Sequence, residues 1–438
     1  MLPELKTPVP GSASMALASR LAGVESRNVT HLADPVPIFW QRAKGANVWD
    51  ADGNRFIDLT GAFGVANIGH GHPEVVGAVA RQSEDLMHGM GDVHPATVKV
   101  ELLEALVARF PGGGEARAVL GSSGSDAVET AIKTAQLASG RPGLLAFEGG
   151  YHGLALGALD ATARSDFRTP FAARLPGATV FARFGDIADA EKCLAQAVAG
   201  GRPLGAVIVE PVQGRGGERI PPRGFLSSLR SLCDAHGLLL IVDEIYTGFG
   251  RTGRWFACDH EGVVPDLLCL GKGLASGMPI SACVGREKVM EAWPLSTGEA
   301  LHTQTFLGHP PGCAAALASM AVIEREGLVP RAAELGRTAL ARLREALGSL
   351  DAVVDVRGLG LMLGIEFNNG DLCAAAVREC LQGGVIVLPS GPAGEVLSMT
   401  PPLSIDPGAL DYALDVIIAA CPNASSRREI QESSGAGS

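Results

Sequence analysis

Two short apolar runs, each ending in a charged side chain, constrain this chain most. Leu238-Leu239-Leu240-Ile241-Val242 leads into Asp243-Glu244, and Leu267-Leu268-Cys269-Leu270 leads into Gly271-Lys272-Gly273. Runs of this length, rich in leucine and β-branched residues and bounded by turn residues, read as strands buried on both faces of a parallel sheet. Open α/β sheets bind ligands beyond the carboxyl ends of their strands, so the pattern predicts Asp243 and Lys272 together at one sheet edge.

Other segments extend the same pattern. From about residue 115 to 285, Ala116-Val119-Leu120, Leu144-Leu145-Ala146-Phe147 and Ala206-Val207-Ile208-Val209 alternate with helical stretches at Asp126 to Ser139 and around Phe225 to His236. Strands alternating with helices imply βαβ units, an α/β class and a mainly parallel sheet flanked by helices. After Pro311 the spacing predicts helices over Cys313 to Arg325 and Ala332 to Leu347, one strand from Val353 to Phe367, and a helix near Cys373 to Leu381. A strand at Val385 to Leu388 and a last helix near Leu410 to Ala420 complete a smaller α+β unit. The expected organisation is a segment 1–64 joining the small domain, a large domain 65–312, a small domain 313–421 and a disordered tail 422–438.

The formal charge is −11 over 438 residues with no basic block, which argues against nucleic acid and anionic membrane as partners. Nine scattered cysteines form no CxxC pair, a usage that fits buried thiols in a reduced, cytoplasmic protein. Pro3, Pro8, Pro10 and Arg20 interrupt any leader-like apolar region, and no apolar stretch approaches the roughly 18 residues of a membrane span.

A carboxylate and an amine at the mouth of one sheet suit pyridoxal phosphate, which needs a lysine for a Schiff base and an anion beside its ring nitrogen. Two such charges about 4 Å apart are worth roughly 4 kcal/mol at an effective dielectric near 20. That corresponds to about three pKa units, enough to hold the ring cationic at neutral pH. Gly121-Ser122-Ser123-Gly124-Ser125-Asp126, between a strand and a helix, supplies backbone N–H groups and hydroxyls for a phosphate. The same residues also suit a plain serine cap with Glu129 in the first turns. Tyr151-His152-Gly153 follows the Leu144 strand and offers an aromatic to stack on a flat heterocycle, while Glu210-Pro211 closes another strand and adds a carboxylate to the rim. Gly358-Leu359-Gly360-Leu361-Met362-Leu363-Gly364 mimics a dinucleotide fingerprint but opens no helix, and His70-Gly71-His72 reads as a turn rather than a zinc site. No metal is expected.

Together these residues resemble the class III pyridoxal-phosphate aminotransferases (ornithine/4-aminobutyrate type, fold type I), from about residue 36 to 420. The likeness rests on Gly121 to Glu129, Tyr151-His152-Gly153, Glu210-Pro211-Val212, Asp243 to Arg251, Gly271-Lys272-Gly273, Thr305-Phe306, Val356-Arg357-Gly358 and Pro401-Pro402-Leu403. The resemblance implies that Lys272 carries the cofactor and Asp243 pairs with its ring nitrogen. Ile245 and Tyr151 would sandwich the ring, with His152 and Glu210 beside it, and Ser123, Gly124 and Ser125 would hold the phosphate. Thr305 would reach the phosphate of a neighbouring subunit, making a homodimer the complete enzyme. The family often has glutamine where this chain has Tyr246, near the ring hydroxyl.

The same resemblance implies transfer of an amino group from an amine or ω-amino acid to an oxo-acid. Gly61-Ala62-Phe63 and Thr400-Pro401-Pro402-Leu403 are also similar to an amino-lactam racemase branch, which leaves a racemase or epimerase as the alternative. Two arginines with which relatives clamp carboxylates are replaced here by Leu154 and Ser398. Phe39, Trp40, Phe63 and Leu154 fall where the family lines its substrate pocket. These two features predict an apolar pocket in which an arylalkyl or long-chain amine outperforms ornithine and acetylornithine. Arg164, Arg168 and Arg215 lie near site segments and are the candidates for a replacement clamp.

Overall fold

The structure, a computed structural model, describes residues 1–32 and 36–435, with side chains through Cys421. After a first helix, Ser12–Ala22, the chain forms an antiparallel meander of β1 (Trp40–Lys44), β2 (Asn47–Asp50) and β3 (Arg55–Asp58). A seven-stranded sheet then forms from β4 (Ala116–Gly121), β5 (Gly143–Phe147), β6 (Thr179–Ala182), β7 (Leu204–Val209), β8 (Leu239–Asp243), β9 (Leu267–Leu270) and β10 (Ser281–Arg286), in the order β4-β10-β9-β8-β7-β5-β6. Neighbours from β9 to β6 are parallel, and β10 lies antiparallel between β4 and β9.

Every residue of β7 and β9 is buried, as the continuous apolar runs require for strands covered on both faces. Removing Val207, Ile208 and Val209 from water stabilises the fold by roughly 2 kcal/mol each. Register then sets the functional edge. Val209 lies opposite Val242, and Asp243 opposite Cys269, so β7, β8 and β9 end at one level. Glu210 follows β7, Asp243 ends β8, and Lys272 stands two residues beyond β9. The helix Gly124–Ser139 starts at the same edge, after β4.

The C-terminal part departs from expectation in three places. Val353 to Phe367 is a hairpin rather than one strand: β11 (Val353–Leu359) turns at Gly360 into β12 (Met362–Phe367). Gly360 has a φ of 56°, the left-handed backbone that such a tight reversal favours. The expected strand at 385–388 is two strands in different sheets. β13 (Val385–Ile386) runs parallel to β3, which ties the N-terminal meander to the C-terminal unit. β14 (Leu388–Ser390) instead pairs antiparallel with β15 (Val396–Met399). The helix Pro310–Arg325 begins earlier than expected because Pro310 and Pro311 occupy its first turn, where a missing N–H costs nothing. It packs on helices Pro73–Asp85 and Thr97–Val107, which precede the seven-stranded sheet.

The last helix is Pro407–Gly435. The side chains over which a disordered tail was expected, 422–438, lie outside the described residues. Eight of the nine free cysteines are buried, and Cys193 is partly so. Among the described residues no helix is long and apolar enough to cross a membrane.

Candidate active site

The carboxyl edge of the sheet opens into a cavity of about 450 Å³. Its floor is built from strand ends. Asp243 is 4% exposed; its Oδ2 is 2.8 Å from His152 Nδ1, and its Oδ1 accepts from the Ile245 N–H at 3.1 Å. Burial alone would lower the His152 pKa. The hydrogen bond and charge of Asp243, with Glu210 behind, outweigh burial and raise it, and the short contact to His152 holds the Asp243 carboxyl group in place.

Lys272 stands next to this pair. Its backbone φ of 41° is left-handed, a strained setting for a residue with a Cβ, and it is fixed between Gly271 and Gly273. Nζ sits 3.6 Å from the centroid of the Tyr246 ring. Burial pushes the amine down to about 8, against the pull of Asp243 and Glu210 and with help from Arg215 and Arg251. Such an amine exchanges protons near neutral pH. Tyr246, held up to about 12 by burial, bonds Thr400 Oγ1 through its hydroxyl at 3.2 Å.

The start of helix Gly124–Ser139 is both a cap and a cradle. Ser123 Oγ accepts from the Asp126 N–H, while Asp126 Oδ2 accepts from the N–H groups of Ser122 and Ser123 at 3.0 and 2.9 Å. The capping carboxylate is therefore Asp126 rather than Glu129. Gly124 and Ser125 hold the first-turn N–H groups that a helix leaves without internal partners, and both line the cavity. Ser125 Oγ accepts from the Leu154 N–H at 3.1 Å.

Glu210 braces the wall: Oε1 accepts from the Tyr151 N–H at 2.8 Å and Oε2 from the Gly214 N–H at 3.2 Å. Burial raises its pKa to about 7. A Cβ at Gly214 would overlap the Tyr246 ring, so glycine there lets the following loop press against the lysine's neighbour. These residues fit pyridoxal phosphate by their chemistry. A buried carboxyl group suits the ring nitrogen, N–H groups at a helix start suit the phosphate, and an amine of lowered pKa lines the same cavity.

The cavity brings together Gly124, Ser125, Tyr151, His152, Glu210, Asp243, Ile245, Tyr246, Lys272, Phe63 and Ser398 from the residues read in the sequence. Other residues named there lie off its wall. Ser123 caps the helix behind it. Phe39 is half-buried with its N–H on Ser14, Trp40 lies edge-on to His70, and Leu154 is 49% exposed. Thr305 is exposed and off its own chain's cavity, while its neighbour Gln304 accepts from Ser122 Oγ at 2.6 Å. His70 forms a β-bridge with Gly45 and bonds Asp58, at the end of β3, at 2.8 Å.

Glu218 went unrecognised in the sequence. It is 1% exposed, bonds Ser390 and Ser398 through their hydroxyls, and is pushed up to about 8 by burial. Its only sequence signal is a charged residue directly after Gly216-Gly217, where no periodicity exists. Of the arginines, Arg164 and Arg215 line the cavity, whereas Arg168 turns to Phe181 and Asp160.

Comparison with known proteins agrees with this geometry. Residues 29–421 match the family model for aminotransferase class-III. The chain is 37% identical to the 4-aminobutyrate aminotransferase of Mycobacterium leprae, covering 94% of this chain and 97% of that protein. It is 41% identical to the acetylornithine aminotransferase of Methanopyrus kandleri, covering 86% and 92% respectively. The solved ornithine aminotransferase of Toxoplasma gondii, whose active site holds pyridoxal phosphate at partial occupancy, superposes with a TM-score of 0.86 at 29% identity, covering 97% of each chain. The chain belongs to the class III aminotransferases, pyridoxal-phosphate enzymes of fold type I.

Proposed function

We propose that this aminotransferase takes its amino group from an ω-amino acid and passes it to an oxo-acid. The observation that carries the reading is the combination, at one cavity, of the Lys272 amine near pKa 8, the Asp243–His152 pair and two arginines on the wall. When bound, pyridoxal phosphate supplies the electron sink that makes the carbon bearing the amino group acidic. The chain supplies the rest. Asp243 places its carboxyl group at the cavity floor, His152 orients it, Gly124 and Ser125 present N–H groups, and Lys272 Nζ takes up and releases the proton.

Of the four apolar residues on which preference for hydrophobic amines rested, Phe63 alone lines the cavity. Arg164, Arg215 and Glu218 occupy wall expected to be greasy, and this favours a carboxylate-bearing donor. Relatives named for 4-aminobutyrate and acetylornithine support the same choice. None of the relatives above is a racemase. The test is to incubate the enzyme with a panel of amines and ω-amino acids plus an oxo-acid and follow new oxo product. Oxo product from ω-amino acids is expected. Loss of optical activity from an amino acid without oxo product would replace this reading by the racemase.

The working unit is proposed to be a homodimer in a reducing, cytoplasmic setting. Support comes from Thr305, exposed and away from its own cavity yet next to the residue that bonds Ser122, and from nine free thiols. Thr305→Ala should loosen cofactor retention, and sedimentation should give twice the chain mass. A fully active monomer would refute the dimer.

A further inference from the structure

Three arginines stood as candidates to replace the missing carboxylate clamps, and the structure separates them. Arg168 points away from the cavity, over Phe181 at 4.8 Å and toward Asp160 at 3.8 Å. Arg164 reaches the cavity, but its guanidinium donates to Asp166 at 3.2 Å. Arg215 also lines the cavity, is exposed to it, and among the described residues no carboxylate pairs with its guanidinium.

What holds Arg215 is aromatic. Its guanidinium carbon lies 5.0 Å from the Tyr151 ring centroid and 5.4 Å from that of Phe167. Aromatic contact constrains a guanidinium without consuming its N–H groups, which stay available as a fork for a planar anion. The backbone beneath is fixed as well. The Arg215 carbonyl accepts from the Gly391 N–H at 3.1 Å, the Gly214 N–H is held by Glu210, and Gln213 and Arg219 bond each other reciprocally at 3.0 Å. A side chain on a rigid loop, braced by rings and lacking a counter-charge, has its ordering cost already met and its charge unspent. Glu218, in the same loop, does not pair with it: its carboxyl group is buried and accepts from the Ser390 and Ser398 hydroxyls.

We propose that Arg215 is the specificity-determining anchor for the substrate carboxylate, selecting amino acids and oxo-acids whose carboxylate reaches it while the reacting carbon lies at Lys272. This rests on the aminotransferase reading and deepens it by naming the residue that recognises the acid. Arg215 does not touch the proton being moved, so its loss acts on binding of the acid more than on turnover.

The experiment compares 5-aminovalerate with pentylamine, donors that differ by one carboxylate, in the wild-type holoenzyme and in Arg215→Gln, Arg215→Lys and Arg164→Ala. The ratio of kcat/KM for the acid over the amine should fall about 10- to 100-fold in Arg215→Gln, chiefly through KM. Arg215→Lys, which keeps the charge but not the fork, should fall between wild type and Arg215→Gln. Calorimetric titration of each holoenzyme with valerate, which has no amino group to react, gives a readout independent of turnover. The Arg215→Gln protein should bind valerate about tenfold or more weakly. An unchanged ratio in Arg215→Gln, or a larger fall in Arg164→Ala, would overturn the proposal. If the wild-type enzyme makes no oxo product from any donor, the aminotransferase reading fails instead, a result distinct from both.

Discussion

The floor and the far wall of the cavity are built by different means. The floor is rigid by topology: Asp243 ends a strand, Lys272 follows one by two residues, and parallel register brings them to the same level. The wall is made of irregular chain: the loop Gln213–Arg219 carries Arg215 and Glu218, while Ser390 and Ser398 come from β14 and β15 of the C-terminal sheet. The difference teaches a division of labour. The groups proposed to move electrons and protons sit on strand ends, and those proposed to choose the substrate sit on irregular chain, where sequence can change without disturbing the sheet.

The largest test of that division is Lys272→Ala. On the proposed roles, removing the floor's amine takes away both the cofactor attachment and the proton carrier, so kcat should fall by about 10⁴-fold or more and the bound-cofactor absorbance should disappear. A hydride-reduced adduct mapped to another lysine in the native protein would contradict the assignment. Asp243→Asn is next. It should bind cofactor yet lose about 10³-fold in rate, the equivalent of roughly 4 kcal/mol for a charge pair near 4 Å. Near-native rates would show that the buried anion is structural.

A smaller effect follows from the lysine's environment. Because burial brings Lys272 from 10.5 to about 8, capture of pyridoxal phosphate by apoenzyme should accelerate with pH up to about 8 and then level off. Acceleration continuing toward pH 10 would mean an ordinary solvated amine. The smallest effect belongs to the wall. Glu218 has its pKa raised to about 8 in the folded chain against an ordinary 4.5, so between those values the unfolded state has lost a proton that the native state keeps. Stability due to this group is present below pH 4.5 and lost as pH rises to about 8. Glu218→Gln should therefore gain in Tm over wild type, by on the order of a few degrees, between pH 5 and pH 8. A constant Tm difference across that range would show that Glu218 is ionised in the fold.

The same contrast decides what the sequence could reveal. Asp243, Lys272, Tyr151 and His152 were legible because each closes or follows an apolar run, and parallel strands place such ends together. Glu218 and Ser390 lie in segments without period, and a buried carboxylate satisfied by two serines from distant strands leaves no local pattern. Leu154 has the right place in the chain, but its side chain is 49% exposed: position along the chain fixes a backbone, not the direction of a side chain. In the fold, Val353 to Phe367 concealed a turn because apolar residues recur along its whole length, and Gly360, whose φ of 56° sits at the reversal, is one of three glycines in the run. Val385 to Leu388 read as one strand for the same reason, although the chain changes sheet after Ile386.

The separation of floor from wall is tested most directly by the donor selectivity of Asp243→Asn, measured as kcat/KM for 5-aminovalerate over that for pentylamine. If the floor does chemistry and the wall does selection, both donors slow alike and the ratio stays within about twofold of wild type. A change in that ratio as large as the one caused by Arg215→Gln would mean that the floor also chooses the substrate, and the division would not hold.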